Sequence, residues 1–142
     1  MKRYRFRLET VLRVRRVEEE RQLAALASAR QAATAAERAA VDCLTHYRSL
    51  ADVGGRASTY DFVAARGRLG LAAGSVRDAQ ATHARAVEAA ETQRERWTEA
   101  ARRVSSLERL DERGRAEHAV EARRDEDRTV DDLVTGRFGR KP

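Results

Sequence analysis

The chain has 142 residues, of which 37% are charged and 5% aromatic, and it carries a net charge of +6. Among the 42% counted as hydrophobic, 27 residues are alanine, while Leu, Val and Phe together supply 26 and isoleucine is absent. Such a chain is at most one ordinary domain without a thick core, and two thin elements offer no concave pocket for catalysis.

The charge is local. Lys2, Arg3, Arg5, Arg7, Arg13, Arg15 and Arg16 stand against Glu9 alone, so the first sixteen residues carry +6 and everything after them sums to zero. Tyr4 and Phe6 alternate with Arg3, Arg5 and Arg7. Positive charge at a helix start opposes the macrodipole, which leaves three readings: a solvated helix-initiating segment, contact with anionic lipid or nucleic acid, or contact with an acidic protein. The Arg-rich start mimics an organellar transit peptide, but Glu18, Glu19 and Glu20 follow at once. No apolar run approaches the ~20 residues needed to span a bilayer, and the N-terminus lacks the apolar stretch of a secretory signal.

A first helix is expected over residues 5–51. Strong helix formers dominate, and the only proline is Pro142. From Leu26 the spacing 3, 4, 3, 4 selects Leu26, Ala29, Ala33, Ala36, Ala40, Cys43, Tyr47 and Leu50, an apolar heptad seam. Upstream, Leu8, Val11, Leu12 and Leu23 share that side, while Glu19 and Gln22 occupy seam positions. Residues 52–58 break the pattern at Gly54-Gly55. Ser58 or Thr59 then offers an N-cap, and Asp61 favours the first turn that follows.

A second helix is expected over residues 59–134, with a seam running from Phe62, Ala65, Leu69, Ala72 and Val76 through His83, Gln93 and Trp97 to Val104 and Leu107. A short linker makes the two neighbours antiparallel, and their small residues permit close backbone approach. The expected fold is all-α: a long antiparallel two-helix coiled-coil hairpin, a single coiled-coil domain over residues 1–142. With the turn near 54–58, facing residue numbers should add to roughly 110, bringing Tyr47 near Phe62 and Glu19 and Gln22 near Gln93 and Arg94 as a shared polar layer. After Leu107 and Leu110 the seam ends, so an extended C-terminal helical tail should run unpaired from about Asp111, with a weak stripe of Ala116, Val120, Val130 and Leu133. Residues 135–142 read as a basic frayed end.

Chemistry is hard to place on this pattern. His46, His83 and His118 are too far apart to form a local metal motif, and one cysteine makes no zinc site. His83, Cys43 and Trp97 read as seam packing. Cys43 leaves no internal disulfide and fits a reducing compartment. No enzyme activity, cofactor or small-molecule substrate is expected.

The opening RFRLETVLRVRRVEEERQLAALA and the distal LERLDERGRAEHAVEARRDEDRTVDDLV resemble the two ends of FliJ, a family of small soluble components of the bacterial flagellar export apparatus. The resemblance covers essentially the entire chain. It implies an antiparallel coiled coil similar to the rotor stalk of rotary ATPases. Such a stalk inserts its helix termini into the export ATPase ring, engages the cytoplasmic domain of the export gate, and assists the cycling of export chaperones. The implied location is cytoplasmic, peripherally associated with the inner-membrane export apparatus. On this resemblance Arg3, Arg5, Arg7, Arg13, Arg15 and Arg16 form the ATPase-facing end, and Tyr47, Phe62 and Leu69 contact the gate. The alternatives are a basic coiled-coil module binding nucleic acid or anionic membrane, which the charge-neutral body disfavours, and the equivalent stalk of a virulence secretion system.

Overall fold

A computed structural model describes residues 3–52 and 58–138, with side chains as far as Asp131. Two helices account for nearly all of it, α1 over Glu9–Ala51 and α2 over Thr59–Phe138. They pair as an antiparallel hairpin. Gly54-Gly55, where the turn was expected, and residues 139–142 of the basic end lie outside the described residues.

α1 begins at Glu9 rather than at residue 5. The Leu12 amide donates to the Leu8 carbonyl at 2.8 Å, so Leu8 occupies the N-cap position with no side-chain acceptor to offer. Arginine at 3, 5 and 7 would add positive charge to the positive end of the dipole, whereas Glu9 in the first turn opposes it. Residues 3–6 therefore stay outside the helix, as an irregular strap.

α2 begins on a reciprocal cap. The Ser58 amide and hydroxyl donate to the Asp61 carboxylate at 3.2 and 2.6 Å, and the Asp61 amide donates back to the Ser58 hydroxyl at 3.2 Å. The Phe62 amide closes the first helical bond on the Ser58 carbonyl at 2.9 Å. The Ser58 hydroxyl, and secondarily its amide, hold the Asp61 carboxyl below the ordinary value of 3.8. A lowered folded value means that the cap is fully supported above pH 3.8 and loses this support as acidification passes through the folded value. Titration of the Cα chemical shifts of residues 59–62 should show the first turn of α2 fraying in acid. Ser58→Ala should fray it at neutral pH as well and flatten the titration; a wild-type first turn that keeps its helical shifts in acid would refute this.

Contacts divide the chain into two units, residues 20–99 and residues 1–19 with 100–142. In the first unit the seam forms as the heptad pattern requires. Leu26 is 2% exposed, Ala72 is buried, and each α1 seam position from Ala29 to Leu50 is half-buried. On α2 the seam positions from Leu69 to Trp97 are buried or half-buried. The Gln93 side-chain amide donates to the Gln22 side-chain carbonyl at 2.5 Å, which builds the polar layer. Arg94 instead pairs with Glu91 one turn away on its own helix.

The start of α2 departs from the expected seam. Phe62 is 62% exposed and Ala65 is exposed, beside Tyr60 and Val63, while Tyr47 is half-buried. Pairing on α2 thus begins at Leu69, while Gln22 meets Gln93 as expected. Displacing one alanine-lined face by a heptad would still set small residue against small residue, so the seam alone holds register weakly.

In the second unit Leu12, Ala100 and Val104 are buried, and Arg16 pairs with Glu108 at 2.7 Å on the surface, where an ion pair contributes little to stability. The half-buried face of α2 continues beyond Leu107 through Asp111, Gly114, His118 and Ala122. The helical tail is present, but its fully exposed stretch starts at Arg123 rather than Asp111, and the helix runs on to Phe138. Ala116, Val120 and Val130 are exposed, and the side chain of Leu133 lies outside the described residues. Tyr4 of the strap lies against this face at Asp111, Gly114 and His118.

Candidate functional site: the basic N-terminal strap

From Arg3 to Arg7 exposure alternates strictly. Arg3, Arg5 and Arg7 are exposed, and Tyr4 and Phe6 are half-buried. A segment with a two-residue period lays one set of side chains on a neighbour and turns the other toward water. The neighbour is α2. The Tyr4 hydroxyl donates to the Asp111 carbonyl oxygen at 3.2 Å, and the Tyr4 ring meets that of His118 edge-on, with centroids 5.8 Å apart and planes at 62°. Partial burial and, after it, the contact with Asp111 hold the Tyr4 phenol above its ordinary value of 10.0.

Of the six arginines expected at the basic end, two are engaged locally. Arg15 donates to Glu18 at 2.6 Å and Arg16 to Glu108 at 2.7 Å. Arg3, Arg5, Arg7 and Arg13 are exposed, and no carboxylate among the described residues pairs with them. Four guanidinium groups on one short stretch make a surface suited to a dense array of carboxylates or phosphates.

The residues expected at the gate contact do not present one face. Tyr47 and Leu69 are half-buried in the seam, whereas Phe62 stands in water with Tyr60 and Val63. His83 and Cys43 are half-buried at their seam positions. Trp97 is half-buried too, and its indole N–H meets no acceptor among the described residues.

No group of three or more His, Cys, Asp or Glu among the described residues is placed to hold a metal ion. A groove of about 620 Å³ runs along α2 beside His118, Glu121, Ala122, Asp125 and Thr129. It carries carboxylates but no nucleophile with a base aimed at it. No described helix is long and apolar enough to cross a membrane.

The seat of Tyr4 on α2 is the feature that sequence reasoning missed. Its signal was present in the alternation of RYRFR and in Gly114, a glycine inside a helix that gains nothing from one. No curated protein and no solved structure matches the chain. The family model described as flagellar FliJ protein, by contrast, matches residues 4–142, from the tyrosine of the strap to the last residue, and the chain belongs to that family of flagellar export components.

Proposed function

We propose that this chain is a non-enzymatic stalk and adaptor of flagellar protein export. Its basic end engages the export ATPase ring through Arg3, Arg5, Arg7 and Arg13, with Arg15 and Arg16 behind them. Tyr47, Phe62 and Leu69 contribute to contact with the cytoplasmic domain of the export gate. Phe62 is the exposed member of that set, and the other two are half-buried in the seam. Assistance to export-chaperone cycling follows from the same adaptor role, at the cytoplasmic face of the inner membrane.

One observation carries the reading: four exposed arginines without carboxylate partners among the described residues sit in a sixteen-residue segment beyond which the chain is charge-neutral. A surface of that kind accelerates and orients encounter with an acidic partner, and salt screens it. The test is binding of the purified export ATPase to the intact protein and to a variant carrying Arg3→Gln, Arg5→Gln, Arg7→Gln and Arg13→Gln. The variant should bind at least about tenfold more weakly at low salt, with a flatter salt dependence. Equal binding would defeat the assignment. Tight, steeply salt-dependent binding to DNA or to anionic vesicles by the intact protein, with none to the ATPase, would replace it with a phosphate-binding role.

A further inference from the structure

We infer that Tyr4 is a latch: seated in the notch left by Gly114, it holds the strap along α2 and sets Arg3, Arg5 and Arg7 in an outward row, ordered in advance for an acidic protein surface. The partner half of this inference rests on the proposed docking of the basic end; the latch itself rests on geometry.

A Cβ placed on Gly114 would lie 2.5 Å from the Tyr4 hydroxyl oxygen and 3.2 Å from both Cε2 and Cζ of its ring. A side chain at that position would therefore force the Tyr4 hydroxyl and ring edge to shift from this seat. The contrast with the other described glycines of α2 is sharp, because a Cβ on Gly67, Gly70 or Gly74 would meet nothing within 4 Å. Glycine weakens a helix interior wherever it stands, and of these four glycines only Gly114 has the space of its missing side chain filled by a neighbour.

Asp111, Gly114 and His118 follow one another at three and four residues, so they share one face of α2. That face supplies a carbonyl with a second lone pair for the phenol, a gap for the ring and an aromatic edge beyond it. With Tyr4 seated on the helix and Phe6 half-buried, Arg3, Arg5 and Arg7 are left exposed. A free strap would have to be ordered when its partner arrives, whereas a docked strap has been ordered beforehand, which raises affinity without a new contact.

The full-length protein tests this with Gly114→Ala, Tyr4→Ala and Tyr4→Phe. Alanine at 114 improves helix propensity and leaves every charge in place, so folding is preserved and far-UV circular dichroism will confirm it. Release of N-terminal peptides by brief trypsin treatment should quicken by about tenfold in Gly114→Ala and Tyr4→Ala, because cleavage follows the open population. Nuclear Overhauser contacts between the Tyr4 and His118 rings should vanish in Gly114→Ala. Tyr4→Phe should keep the ring seated and stay nearer to wild type. Binding to the export ATPase should weaken about threefold or more in the two released variants.

An unchanged cleavage rate and persisting ring contacts in Gly114→Ala would overturn the latch. A released strap with undiminished ATPase binding would overturn the advance ordering, provided that Arg3→Gln, Arg5→Gln and Arg7→Gln together do weaken binding. If that triple substitution leaves binding intact, the docking role of the basic end fails and the inferred acidic partner with it, while the cleavage and ring-contact data still decide the latch on their own.

Discussion

Leu26→Ala is expected to lower the stability of the hairpin by about 2–3 kcal/mol. Leu26 is 2% exposed, the lowest value among the five buried hydrophobic residues described, and Ala72 is the other one in its unit. Its neighbours along α1 are alanines at 29, 33 and 36, which have no length with which to fill the space that the lost isobutyl group would leave. The damage is accordingly transfer energy plus an unfilled gap, moderated because two helices can close on a void more easily than a multilayer core. For a thin seam this is a large share of the total. Urea unfolding followed by far-UV circular dichroism will measure it, with Leu71→Ala as the control. Leu71 is 77% exposed, and its truncation should change stability by no more than about 0.5 kcal/mol. Equal effects at the two positions would mean that the helices do not pair through this face.

The second large effect is expected at the glutamine layer. Gln22→Leu or Gln93→Leu alone should cost about 1–2 kcal/mol, since each strands the surviving amide against an apolar face. Combined, the two substitutions should restore wild-type stability or exceed it, because leucine pairs suit a seam better than an amide pair does. The coupling measured by the double-mutant cycle should be about 1–2 kcal/mol, where distant positions would simply add. What the double variant should lose is alignment. Disulfide trapping between cysteines introduced on α1 and α2 should find one register in the wild type and several in the double variant. Additive single effects, or a single register retained, would show that the layer does not align the helices.

The heptad seam was legible on α1 from Leu26 to Leu50, where every position is buried or half-buried, whereas upstream only Leu12 is buried and Leu8, Val11 and Leu23, expected on the same side, are exposed. It was legible on α2 from Leu69 to Leu107 as well. A seam is a local, periodic property: a helix buries whichever stripe recurs at 3.5 residues, whatever its partner turns out to be. Ser58 and Asp61 were readable for the same reason, since a cap is decided within four residues of chain. The polar layer was readable because few polar residues fell on the stripe.

Phe62 and Ala65 lay on the stripe and yet face water. Period tells which side of a helix is apolar, but where pairing begins depends on the register chosen by both helices. Alanine stripes discriminate poorly among registers, and it is the pairing of Gln22 with Gln93 that records the outcome here.

The sequence by itself therefore determined that this chain forms helices, which face of each is apolar, and that its excess charge is confined to the first sixteen residues. Only the tertiary structure decided which residues meet across that face and that Tyr4 lies in the gap at Gly114. The physical reason is distance along the chain. Periodicity and capping act over a few residues, while the Tyr4 contact joins positions 107 apart and exists only once the hairpin has brought them together.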